Sequence, residues 1–120
     1  MAHRFETVLG RLGSRFTLDF LPQENRILYS AMGKYFDEPL PLQMTFTRGP
    51  HQRALPFTTG EGLEMVEQVL TPTSVTFRCH SRELGVAVEL SFLAPFYPQD
   101  VETSCLPVHV VRVSWARRCV

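Results

Sequence analysis

Two carboxyl groups held roughly 5 to 10 Å apart across a cleft can protonate a leaving group and activate a nucleophile. The candidates for such work in this chain are Asp19, Asp37, Glu38, Asp100 and Glu102. Asp37-Glu38 and Asp100-x-Glu102 sit in turn-like, proline-flanked segments, where acidic side chains ordinarily cap backbone N–H groups or face solvent. Spacing along the chain does not assemble a pair in three dimensions, so the acids read as turn residues and no catalytic role is assigned.

Metal and thiol chemistry are equally unsupported. His3, His51, His80 and His109 are far apart in sequence, without the short spacings of a zinc site. Cys79, Cys105 and Cys119 form no CxxC. Adjacent Cys79 and His80 would point to opposite faces of a strand. Cys105 with a distant histidine could imitate a nucleophile and its base, but no elbow motif marks an activated position, and a buried or idle thiol is the plainer reading. Neither a metal nor a cofactor is expected.

Aromatic rings offer a binding alternative, because planar rings stack on sugar faces when exposed. Tyr29, Tyr35, Phe36, Phe96, Tyr97 and Trp115 lie in or beside turns or at a strand end. Of these, Tyr97 and Trp115 are the candidates to face an interface or a ligand. The competing reading is that Phe96 and Tyr97 close one end of the fold and Trp115 packs against a partner. No array of rings at alternate strand positions accompanies them.

The elements that must carry these side chains are strands. Period-two alternation sets Phe16, Leu18 and Phe20 inward, with Arg15, Thr17 and Asp19 outward. Leu42, Met44 and Phe46 form a second inward set. Val75, Phe77 and Cys79 form a third; then, after a turn at residues 81–85, come Val86, Val88, Leu90 and Phe92, the clearest hairpin in the chain. The last run, VHVVRVSW, breaks phase at Val110 and Val111, which predicts a bulge there or else a strand buried on both faces; we favour the bulge. Residues 61–70 fit both a helix and a strand, and the strands around them tip the reading toward strand. Breaks at Pro22, Gly33, Gly49-Pro50 and Pro72, among others, separate these runs into short strands. The pattern predicts an all-β antiparallel sandwich.

Composition bounds the rest. At 120 residues the chain has the size of one small domain, spanning 1–120, without room for a separate catalytic domain. A hydrophobic content of 44% with 20% charged residues argues for a folded chain rather than a disordered one. Its 12 basic and 12 acidic residues cancel, leaving no global field to recruit nucleic acid or an anionic membrane. No stretch approaches the roughly 20 apolar residues of a membrane span, and MAHRFETVLGRLGSRF lacks the apolar core of a signal peptide. An odd cysteine count without paired spacing fits a reducing compartment, so the expected location is cytoplasmic.

Three short elements carry a family resemblance: Ala94-Pro95, the acidic turn Pro98-Gln99-Asp100, and Ser104-Cys105-Leu106-Pro107-Val108. Within MVEQVLTPTSVTFRC and GVAVELSFLAPFYPQDVETSCLPVHVVRVSW they resemble the N-terminal β-sandwich region of glutaminase A-like proteins. LGRLGSRFTLDF and HQRALPF are similar to the start of glycoside hydrolase family 52, the β-xylosidase group. The resemblance implies a supersandwich-like domain that precedes a larger α-helical toroid, and in such proteins the toroid carries the catalytic carboxylates. It therefore implies a non-catalytic front portion of a hydrolase, glycosidase or amidase, whose partner is the toroid in cis or in trans. The ending ARRCV, a few residues after an apolar strand, fits a truncated chain. A free-standing carbohydrate- or protein-binding module is the alternative.

Overall fold

In a computed structural model, residues 6–10, 17–30, 38–40, 42–58, 62–94, 99–104 and 109–117 are described. In chain order the strands are β1 (Thr7–Gly10), β2 (Thr17–Leu21), β3 (Arg26–Ser30), β4 (Glu38–Pro39), β5 (Thr45–Arg48), β6 (His51–Ala54), β7 (Glu64–Thr71), β8 (Ser74–Ser81), β9 (Val86–Leu93) and β10 (Val110–Arg117). The helical elements among the described residues are a 3-10 turn at Pro22–Glu24 and a single α-turn, α1, at Val101–Ser104. No described helix is long and apolar enough to cross a membrane.

The strands build an all-β antiparallel sandwich. One sheet has the order β1-β2-β3-β4, the other β10-β9-β8-β7, and β5 and β6 form a separate hairpin. Every strand pairing is antiparallel. The inward sets read from alternation meet between the sheets: Leu18 and Phe20 from β2, Val75, Phe77 and Cys79 from β8, and Val86, Val88, Leu90 and Phe92 from β9 are all buried. Phe16 and Arg15 lie outside the described residues. Phe20 sits at the centre, its ring 4.8 Å from Phe92, 5.6 Å from Phe77 and 5.9 Å from Phe57. Such tilted ring pairs contribute about 0.5–1.5 kcal/mol each beyond the area they bury.

The β8–β9 turn falls at residues 81–85 as expected, with Gly85 in the left-handed region at φ 62°. The hairpin β5–β6 turns at Gly49, also left-handed at φ 60°. Its sequence then ties it to the β8–β9 turn. Arg48 donates to the Leu84 carbonyl, Arg53 pairs with Glu83, and His51 lies 3.3 Å from the same carboxylate.

Three readings from the sequence are corrected or decided here. The bulge is not in the last strand: β10 pairs with β9 without interruption from Val110↔Leu93 to Arg117↔Val86. β10 is an edge strand exposed on both faces, so nothing requires its residues to alternate, and the phase break at Val110-Val111 needs no extra residue. Residues 64–71 form a strand, and the bulge lies there, between Met65 and Glu67. That one-residue slip puts Met65 opposite Cys79 but Gln68 opposite Phe77, so strict alternation breaks within the strand. Asp19 does lie on the outward face of its sheet, yet it is only 6% exposed.

Candidate functional site

Five of the eight residues of β10 are apolar, Val110, Val111, Val113, Trp115 and Ala116, and none of the eight is buried. Val110, Val111, Val113 and Trp115 are exposed, Trp115 to 59%. The register explains the position of the last three. Val111 lies opposite Phe92, Val113 opposite Leu90 and Trp115 opposite Val88, all three partners being buried on the core face of β9. Directly opposed residues of an antiparallel pair share a face. Val111, Val113 and Trp115 thus continue the core face of β9 onto an edge strand where it is left exposed.

The β5–β6 hairpin borders this strip at one end. Phe46 meets Trp115 edge-on with ring centroids 5.5 Å apart. With Thr47, Arg48, Val86 and Arg117 the two rings line a cleft of about 230 Å³. That is below the roughly 300–1,000 Å³ of ordinary small-ligand pockets, so the cleft suits one ring or one side chain. Of the other aromatic candidates, Tyr29 is half-buried and packs on the core. Tyr97, Tyr35, Phe36 and Phe96 lie outside the described residues.

The acidic candidates do not assemble a hydrolytic pair among the described residues. Asp100 accepts from the Thr103 backbone N–H at 3.1 Å and from the Thr103 hydroxyl, which holds its carboxyl below the usual range. It caps α1. Glu102 is exposed, and Asp37 lies outside the described residues. Asp19 has a partner that sequence reasoning missed: burial first, then the charge of Glu6 and a hydrogen bond to it, push the Asp19 carboxyl up to about 6. Its Oδ1 is buried without a hydrogen-bond partner. Carboxyls in hydrogen-bond contact leave no space for a sugar or a water between them, unlike the separations glycoside hydrolysis uses. The pair is therefore structural. An acid within the apolar run TLDFL was the one signal for it.

This pair sets a pH dependence whose sign is unusual for a carboxylate. Folded Asp19 keeps its proton to about 6, while the ordinary value is 3.8, so between those values the native state binds more protons than the unfolded chain. Stability is then lost as pH rises through that window, not as it falls. Asp19→Asn should be more stable than the wild type above about pH 6, by on the order of 1–3 kcal/mol, and should show no advantage below about pH 4. Urea unfolding at pH 4, 5, 6 and 7 measures this directly; a constant difference across the series would remove Asp19 as its source.

The histidines and cysteines are dispersed. His80 lies 3.2 Å from Glu64, and His109 Nε2 is 3.3 Å from the Leu9 carbonyl. Cys79 is buried in the core while His80 is on the opposite face. Among the described residues no three metal-ligating side chains converge. His3, Cys105 and Cys119 lie outside them. What the described surface presents is an exposed edge strand with an apolar row on one face and a small aromatic cleft at one end. No protein family, curated protein or solved structure matches the chain.

Proposed function

We propose that the chain is a non-catalytic β-sandwich that packs through the β10 face against the α-helical toroid of a glycoside hydrolase-like or glutaminase A-like protein and shapes the rim of its active site. The observation that carries this reading is the row Val111, Val113 and Trp115, on the core face yet exposed. Apolar residues lined up on one face, rather than scattered, mark a surface that is covered in use. A helix packed along the row would bury it, with Trp115 as the large anchor at one end. The choice of a helical toroid as the partner rests on the resemblance noted in the sequence.

The test begins with the coding sequence around this chain, searched for a long helical region in frame or adjacent. Co-expressed with that region, the chain should co-purify with it and the emission of Trp115, the sole tryptophan, should shift to the blue. Trp115→Asp should abolish the co-purification without unfolding the chain. Absence of any such region, or co-purification that leaves the emission unchanged, would overturn the proposal.

The Phe46–Trp115 cleft favours a second reading, a free-standing module that binds a carbohydrate or a protein side chain. Titration with xylo-oligosaccharides would then quench Trp115 saturably, and Phe46→Ala would weaken the effect.

A further inference from the structure

The two edges of the second sheet are built differently. β7 is blunted by its bulge and by Glu64 and Glu67. Natural sheets protect open edges with such bulges and charges. β10 has no bulge and no proline, and its eight residues run in unbroken register. Its outer side presents a straight row of backbone N–H and C=O groups that no described strand pairs, and the charges it carries, Arg112 and Arg117, admit a strand that offers them uncharged or acidic neighbours.

Charge then selects the strand that fits. Across the outer face a ladder of alternating sign runs from Glu67 to Arg78 at 2.8 Å and from Arg78 to Glu89 at 3.0 Å. On β10 the next position, opposite Glu89, is Ser114, which is uncharged. Arg112, two residues away on the same face, has no ion-pair partner among the described residues. The ladder stops one cation short, and the strand itself carries that cation.

We propose that β10 pairs antiparallel with β10 of a second copy about a two-fold axis through Val113, joining the two second sheets into one. Opposed residues must share a face, so this register places Arg112 of each copy against Ser114 of the other and within reach of the Glu89 beyond it. The same register sets Val111 against Trp115 and Val113 against its own equivalent, aromatic and β-branched pairs that sheets favour. An axis at Arg112 would oppose two guanidinium groups. An axis at Ser114 would set Arg112 against Ala116 and leave the ladder open. The interface is isologous and therefore closes as a dimer. It uses the backbone edge of β10, whereas the docking proposed above uses the side-chain face, so either can fail without the other.

Sedimentation velocity of the purified chain across micromolar to millimolar concentrations tests this. The wild type should show a reversible monomer–dimer equilibrium. Ser114→Arg strengthens the contact with Glu89 within the chain but opposes Arg112 of the second copy. It should weaken dimerisation about fivefold to tenfold while leaving thermal stability at low concentration undiminished. Arg112→Glu should weaken it similarly, and the double variant Arg112→Glu/Ser114→Arg should restore it, because each glutamate then faces an arginine. A wild type that stays monomeric throughout, a dimer indifferent to Ser114→Arg, an open-ended polymer, or a double variant without rescue would each overturn the proposal. Co-purification of Ser114→Arg with a helical partner would show separately whether the docking face survives.

Discussion

Phe20→Ala is expected to cost about 3–5 kcal/mol, the usual range for truncating a fully buried ring, and so to remove much of the stability of a chain this size. The reason is positional as well as volumetric. Phe20 is fully buried on β2, a central strand of the first sheet, and its ring reaches Phe77 and Phe92 of the second sheet and Phe57 of the loop between β6 and β7. Deleting it opens a cavity where both sheets and the loop meet, and none of the three can close it without losing its register. Urea unfolding followed by far-UV circular dichroism measures the loss. Phe46→Ala is the control, since Phe46 is only half-buried at the margin of the core. If both substitutions cost the same small amount, the two sheets do not share a single aromatic centre.

The next largest effect is expected at Asn25, an exposed polar residue. Its backbone is left-handed, at φ 52° and ψ 43°, where asparagine is tolerated better than other non-glycine residues. Its Oδ1 accepts from the Phe57 N–H at 2.6 Å and its Nδ2 donates to the Thr58 carbonyl at 3.3 Å. Phe57 is itself left-handed at φ 68°, an uncommon backbone for a bulky residue, and its ring is driven into the core 4.8 Å from Phe77. Thr58 is buried, and its hydroxyl accepts from the Met44 N–H at 3.2 Å. Asn25 therefore holds the strained Phe57 in place, and Thr58 passes the constraint to the start of the β5–β6 hairpin.

Asn25→Ala removes both hydrogen bonds and the left-handed tolerance, for an expected loss of about 2–4 kcal/mol. Asn25→Gly keeps the backbone geometry and should recover roughly 1 kcal/mol of that loss. Because the hairpin carries Phe46 to Trp115, the alanine variant should also alter Trp115 fluorescence under native conditions, before unfolding begins. Equal stabilities for the alanine and glycine variants would show that the left-handed backbone at this position carries no penalty.

Local pattern was enough to determine the inward faces of several strands. Val75, Phe77 and Cys79, then Val86, Val88, Leu90 and Phe92, alternate without a break around a turn of the right chemistry, and all are buried. The separation of Cys79 from His80 follows from the same period of two, as does the all-β antiparallel class from the number and length of such runs. Alternation states which residues share a face; it does not state what covers that face. Val111, Val113 and Trp115 carry the core pattern, and only the tertiary packing, which places β10 at a sheet edge, leaves them exposed. Asp19 carries the surface pattern, and only its tertiary surroundings bury it beside Glu6. The slip at Met65 and Glu67, and the grip of Asn25 on Phe57 some 32 residues away, likewise arise between segments distant in sequence. Faces are set by neighbours one and two residues apart, which the chain itself supplies; cover, register shifts and strained loops are set by segments that meet only when the sheets pack.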